Sequence, residues 1–261
     1  MMERLEYKFL LNNKKIDSLR QALMPFLFYD VYAERSADKQ YTVRSIYFDT
    51  SRLRYYHEKI DGIKIRKKIR IRGYDTLNGQ DLVFLEIKRK YENYISKNRA
   101  GIRYIHLPEL FQTGKTGELI VPKPDPETAK EDARRFLHHV FKNNLRPTVL
   151  VAYDREAYFS KFNSGLRITI DKNLRYLAFP ALSDLFEDEK LQFAQKGFST
   201  LEIKFHHGYP DWLREILKQF HLSRQALSKY TICLDAQRSL HAIKRRSTIA
   251  FTDQFWHSES Y

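Results

Sequence analysis

The stretch Gly62–Tyr74, GIKIRKKIRIRGY, decides how the rest of the chain is read. Lys64, Arg66, Lys68, Arg70 and Arg72 share one parity; Ile63, Ile65, Ile69 and Ile71 share the other, with Lys67 among them. Alternate residues of a β-strand point to opposite faces, so this spacing predicts one strand with a cationic face and an apolar face. In a helix, at about 100° per residue, the same cations would spread around the cylinder. Same-face neighbours on a strand lie roughly 6.7 Å apart. At that distance two unit charges repel by about 0.6 kcal/mol in water and about 2.5 kcal/mol at an effective dielectric of about 20. A row of five such cations calls for something anionic across from it.

The pattern recurs along the chain. Leu5, Tyr7 and Phe9 alternate with Glu6 and Lys8 in a first strand, MERLEYKFLLN. Asn12 or Asn13 then caps a helix carrying Ile16, Leu19, Leu23 and Phe26. A polar segment over 33–39 leads to a second strand, Tyr41–Asp49, and Thr50 or Ser51 caps a short helix from Arg54 to Lys59. Beyond the cationic strand, a turn over Asp75–Gly79 returns the chain along Asp81–Lys90, where Leu82, Phe84, Glu86 and Lys88 share a face. Lys97, Arg99 and Arg103 follow in a basic segment. A Gly- and Pro-containing loop, 114–126, precedes a helix starting at Asp125 or Glu127 and reaching about Lys142, with Ala133, Phe136, Leu137, Val140 and Phe141 on one stripe. Further strands are predicted at Thr148–Tyr158, Leu166–Leu177 and Phe198–His206, and helices at Asp211–Phe220 and Ser223–Ala236. Residues 239–261 carry no pattern and read as a tail to a single domain over 1–238.

The 261 residues include 46 Lys and Arg against 32 Asp and Glu, a formal charge of +14, which points to a polyanionic partner. Cys233 is the single cysteine, so an intramolecular disulfide and a thiolate zinc cluster are excluded. The charged N-terminus has no apolar leader, and no run approaches the ~18 apolar residues that span a bilayer, so the expectation is a soluble, cytoplasmic protein. Gly114-Lys115-Thr116 imitates the end of a P-loop, but Glu109 stands where its first glycine belongs. The adjacent pairs His138-His139 and His206-His207 lack the spacing of a helical metal site.

Amphipathic strands in this number form either an open sheet with its charged face in water or a closed barrel with its charged faces inward. Arg and Lys from several strands are mixed with Glu6, Glu86 and Glu202, whereas Thr, Gln and Ser are scarce. That composition favours the barrel: an α+β fold with a closed, eight-stranded antiparallel barrel and helices packed outside.

Arg4-x-Glu6-x-Lys8, SIYFDT (45–50), KIRIRGY (68–74), FLEIKRK (84–90), YDREAY (153–158), LRITID (166–171), LEIKF (201–205) and SKY (228–230) follow in an order that resembles the VTC domain. This is the polyphosphate polymerase domain of the vacuolar transporter chaperone complex, within the triphosphate tunnel metalloenzymes. The resemblance covers about residues 3–235. It implies a basic tunnel in which the γ-phosphate of ATP passes to a growing polyphosphate chain with Mn2+ or Mg2+ present. On the matched motifs, Lys8, Arg70, Arg72, Lys88, Arg155 and Arg167 bind phosphates, all but Lys8 being assigned to catalysis. Glu202 holds the metal, with Glu6 or Glu86 as second choices or as ion-pair partners of tunnel cations. Lys229 is the basic residue near the tunnel's end, and Lys68, Lys97, Arg99, Lys204 and Tyr153 complete the phosphate-binding set.

Arg4 stands where hydrolase and cyclase branches begin Glu-x-Glu-x-Lys, which favours the polymerase branch. Ala226 stands where some VTC domains have a second lysine, leaving Arg224 as a substitute. The alternatives are a tunnel triphosphatase and a non-catalytic polyphosphate sensor. No nucleic-acid partner is expected. A separate membrane protein or an anionic membrane surface, met through basic clusters such as Lys244–Arg246, would place the chain at the inner face of the membrane.

Overall fold

The computed structural model describes residues 5–75, 82–91, 94–122, 125–162, 165–206 and 208–237. Arg4, most of the turn after Asp75, His207 and the tail with Lys244–Arg246 lie outside them. Eight long strands carry the fold: β1 (Leu5–Asn12), β3 (Tyr41–Asp49), β4 (Ile65–Tyr74), β5 (Leu82–Tyr91), β6 (Tyr94–Arg103), β8 (Arg146–Ser160), β9 (Arg167–Ala178) and β11 (Phe198–Phe205). Three short ones attach to them: β2 (Leu27–Tyr29), β7 (Ile120–Val121) and β10 (Gln192–Phe193). The helices are α1 (Ile16–Leu23), α2 (Val31–Arg35), α3 (Arg54–Ile60), α4 (Leu107–Thr113), α5 (Pro126–Lys142) and α6 (Asp211–Gln219).

All the strands join one antiparallel sheet in the order β1-β11-β9-β8-β3-β4-β5-β6-β7. The ladder does not close into the predicted barrel. β1 and β7 are its ends, and the edge of β1 is met by other backbone. Gln225 donates its N–H to the Lys8 carbonyl (2.9 Å is typical for such a bond; here it is 2.8 Å), and Arg224 bridges Phe9. At the far end, β7 pairs with β6 at Gly101 and Ile102.

The sheet nevertheless curls. Lys88 on β5 is six steps from β1 in the ladder, which in a flat sheet, at about 4.8 Å per step, is roughly 29 Å. Its Nζ lies 3.4 Å from Glu6 of β1. The charged faces therefore form the inside of a trough, as their parity requires.

The apolar faces point outward beneath helices. Ile69, Ile71, Val83, Leu85, Ile87 and Ile102 pack with Ala129, Ala133 and Phe136 of α5, and Phe9, Leu11, Leu201 and Ile203 pack with Leu19 of α1 and Leu213 of α6. Phe141, assigned to the α5 stripe from its spacing, is 55% exposed instead. Trp212 anchors α6 by stacking on Phe26 with ring centroids 4.3 Å apart. Gly114, in the P-loop imitation, is the left-handed C-cap of α4, a role that its φ of 66° suits.

Two local expectations are corrected. The start of α3 is held by Asp49, whose carboxylate accepts from the N–H groups of Thr50, Tyr55 and Tyr56, while Thr50 Oγ1 accepts from Arg54 N–H. The final helix begins only at residue 229; before it, Arg224 bridges Phe9 and Gln225 bonds the Lys8 carbonyl on the edge of β1. That helix packs Tyr230, Cys233 and Leu234 against Val43, Tyr47 and Val151 on the trough side of the sheet.

Candidate functional site

The strand registers bring the cations together. Lys68 faces Lys88, Lys88 faces Lys97, Arg70 faces Glu86 and Glu86 faces Arg99 across adjacent strands. Glu86 is 1% exposed and gathers the first group: Arg70 at 2.7 Å, Lys97 at 2.6 Å, Arg99 at 3.3 Å and Arg72 at 4.0 Å. Burial alone would raise the Glu86 carboxyl, but the charges of Arg70, Arg72 and Lys97 outweigh it and hold the group below the ordinary carboxylate range. Arg70 also donates to the Tyr47 hydroxyl at 2.8 Å and Arg72 to Ser45 Oγ at 3.1 Å. The Arg99 guanidinium lies 3.4 Å from the Phe84 ring centroid.

A second group joins β1, β5 and β11. Lys8 meets Glu6 at 3.0 Å and Glu202 at 3.8 Å, and Lys204 meets Glu202 at 2.5 Å and Glu6 at 3.7 Å. Burial and the neighbouring Glu202 would raise Glu6, but Lys8, Lys88 and Lys204 bring it down to about 2. Glu202 is likewise held well below its usual range, its burial outweighed by Lys204 and Lys8.

The third group centres on Asp171. Arg155 grips it with two bonds of 2.6 and 2.8 Å, and Lys229 reaches it at 2.5 Å from the C-terminal helix. Tyr153 lies beneath: Arg155 donates to its hydroxyl at 3.3 Å, and Lys229 sits 4.6 Å from its ring centroid.

Lys68 stands apart from all three carboxylate groups. Its Nζ donates to Ser228 Oγ at 2.8 Å and lies 5.9 Å from the Tyr230 ring centroid. Burial, reinforced by Lys8, Lys88 and Arg70, holds this amine well below the usual lysine range. Lys88 is also lowered, by burial first and by Lys8 and Lys204 against the pull of Glu6 and Glu202. A buried amine whose charged form is disfavoured by burial and by neighbouring cations gains from an anion placed beside it. Thr169 Oγ1, buried beside Glu202 in the register, has no hydrogen-bond partner among the described residues, another open group on the same face.

Arg167 is the predicted residue that this arrangement separates from the rest. It pairs with Asp30 at 2.8 Å, close to the Tyr41 hydroxyl. Sequence reasoning passed over Asp171 as a site residue, although it shares the parity of Arg167 and Thr169. It also passed over Tyr47 and Ser45, two strand residues facing the cations. Asp30 lies 137 residues from Arg167, and no local pattern announces the pairing.

Among the described residues no three His, Cys, Asp or Glu side chains cluster to enclose a metal. Glu6 and Glu202 share Lys8 and Lys204 and form an oxygen-only pair. Such a pair fits a hard divalent cation that draws its remaining ligands from phosphate oxygens and water. Every ion pair of Glu86 is with a cation of the first group.

A family model described as VTC domain matches residues 3–237. The chain is 23% identical over 164 residues to Vacuolar transporter chaperone complex subunit 2 of Saccharomyces cerevisiae, covering 57% of this chain and 19% of that protein. It is 24% identical over 156 residues to Vacuolar transporter chaperone complex subunit 4 of Trypanosoma cruzi, covering 52% of this chain and 20% of that protein. The match thus spans about a fifth of the length of each of these relatives.

Proposed function

The chain belongs to the VTC domain family, and on that premise we propose that it is an ATP-dependent polyphosphate polymerase whose trough is the tunnel of that reaction. The observation that carries the reading is the charge imbalance of one buried face. Glu6, Glu86, Asp171 and Glu202 are outnumbered there by the cations of β1, β4, β5, β6, β8 and β11, and Lys68 meets no carboxylate among the described residues. A chain of phosphates supplies the missing negative charge.

In the transfer, the bond between the γ-phosphorus and its bridging oxygen breaks, a terminal oxygen of the polyphosphate chain bonds to that phosphorus, and ADP leaves. The acceptor oxygen is already ionised, so the step needs charge neutralisation and alignment more than a strong base. Arg70, Arg72 and Arg155 supply planar forks that never deprotonate and suit fixed phosphate positions. Lys8, Lys68, Lys88 and Lys229 act as point charges along the chain, and Glu86 and Asp171 hold the guanidinium groups in place. Arg167 serves at the margin of the trough. Glu202 with Glu6 would hold Mn2+ or Mg2+, which when bound neutralises phosphate oxygens.

The two relatives are named as subunits of a complex, and by extension this chain acts beside a separate membrane partner or an anionic membrane surface from the cytoplasmic side. No helix among the described residues is long and apolar enough to cross a membrane.

The test is incubation of the purified chain with ATP and Mn2+, followed by gel separation of the products. The reading predicts a ladder of long chains that is lost in Arg70→Ala and Glu202→Ala. Phosphate release without a ladder would identify a triphosphatase. Polyphosphate binding without turnover would identify a sensor.

A further inference from the structure

On the other face of β1, outside the trough, lies a cavity of about 290 Å3. Tyr7 and Phe9 of β1, Tyr209 just before α6 and Leu217 of α6 form its walls. Tyr7 and Tyr209 meet edge to face with centroids 5.9 Å apart. Arg214, Lys218 and Arg224 stand at the same cavity. The Arg224 guanidinium lies 4.0 Å from the Tyr7 ring centroid. Arg214 and Lys218 pair with exposed carboxylates of their own helix, Asp211 at 3.1 Å and Glu215 at 2.9 Å. Pairs this exposed hold their cations weakly and leave them able to turn to another anion.

Aromatic and aliphatic walls with cations at the edge select a ligand that has a planar apolar body and a negative group. Small-molecule sites begin at roughly 300 Å3. The cavity therefore suits one ring system with one charged group, and it is too apolar for a bare phosphate chain.

The cavity is also connected to the trough. Arg224 lines it, and the next residue, Gln225, donates its N–H to the Lys8 carbonyl at 2.8 Å. Three residues further, Ser228 accepts from Lys68, and Lys229 meets Asp171. One short segment thus has a cavity wall at one end and two trough groups at the other.

We propose that this cavity binds an aromatic organic anion and that its occupancy weakens polyanion binding in the trough through residues 224–229. A ring seated on Tyr7 competes with Arg224 for that face, and its charge draws the guanidinium away. The backbone tied to Lys8 moves with it. The site itself is independent of the proposed polymerase; the coupling rests on reading the trough as a phosphate site.

The probe is 8-anilinonaphthalene-1-sulfonate, titrated into the full chain and followed by its fluorescence. One saturable site is expected, with affinity unchanged in Arg70→Ala and reduced about tenfold in Arg214→Glu/Lys218→Glu. Both replaced residues are exposed, and an unchanged melting curve checks the fold. An affinity insensitive to the double substitution, or lost in Arg70→Ala, overturns the site. Tripolyphosphate is then titrated with and without saturating probe. A fivefold or greater loss of affinity in the wild type, absent from the double variant, is expected (coupling between sites is commonly about 5- to 150-fold). Equal affinities in the wild type overturn the coupling. Failure of tripolyphosphate to bind at all would remove the trough reading and the coupling with it, while the fluorescence result still decides the cavity.

Discussion

Replacing Glu86 by glutamine keeps its shape and removes the one negative charge that Arg70, Arg72, Lys97 and Arg99 share. Breaking a buried ion pair from one side costs about 3–5 kcal/mol. Lys97 and Arg99 are 42% and 31% exposed, so water screens their share, and the lower end, about 3 kcal/mol, applies. For a chain of this size each kcal/mol moves the melting midpoint by about 2–4 °C, so Glu86→Gln should melt about 6–12 °C lower. Tripolyphosphate restores negative charge at the same place. At a hundredfold excess over Kd it adds about 2.7 kcal/mol to any protein that binds it, and the variant should gain more than the wild type because its cations lack their internal anion. Glu86 is held below its unfolded value, so its contribution is complete above about pH 4.3 and is lost as the pH falls through the folded value. The acid limb of the stability curve should flatten in the variant. The assay is thermal melting across pH, with and without tripolyphosphate. A loss below about 1 kcal/mol, or equal gains in the two proteins, would refute the reasoning.

Lys97 is lowered to about 8, chiefly by burial and also by Arg70 and Arg99, against the pull of Glu86. Between that value and the unfolded lysine value of about 10.4 the unfolded chain binds more protons, so stability rises with pH across this window. An anion in the trough restores the proton, and tripolyphosphate should therefore bind with proton uptake there and more weakly as the pH rises above 8. Calorimetry in two buffers of different ionisation enthalpy measures this, and equal heats would count against it. Lys68→Met removes a desolvated cation: the empty protein should melt no lower, while tripolyphosphate affinity falls about tenfold or more. A large drop in melting temperature would mean that Lys68 serves the fold. Glu156 lies off the trough face and pairs with Arg20 at 2.7 Å and Lys172 at 2.5 Å. Glu156→Gln should destabilise by about 3 kcal/mol yet leave tripolyphosphate affinity unchanged, as titration of the folded variant would show.

Parity made the trough legible: Lys68, Arg70 and Arg72 fall inward because Ile69 and Ile71 fall under α5. Seven of the eight long strands and their alternation were readable for the same reason, while β6 was read only as a basic segment. Closure was not, because it depends on which backbone takes the edge of β1, and Arg224 and Gln225 meet that edge where a helical spacing had been read. α4 and α2, of seven and five residues, were not read from the sequence. Cations were easier to place than their partners. Asp171 was visible as a strand residue, yet its pairing with Lys229 spans two elements that only the folded chain brings together.

The central claim is that the charged face binds a chain of phosphates. Calorimetric titration of tripolyphosphate into the full chain, beside Arg70→Ala and Arg155→Ala, tests it most directly. The account predicts one site per chain, weakened at least tenfold in both variants. Binding of equal strength in all three proteins, or none in the wild type, would contradict it.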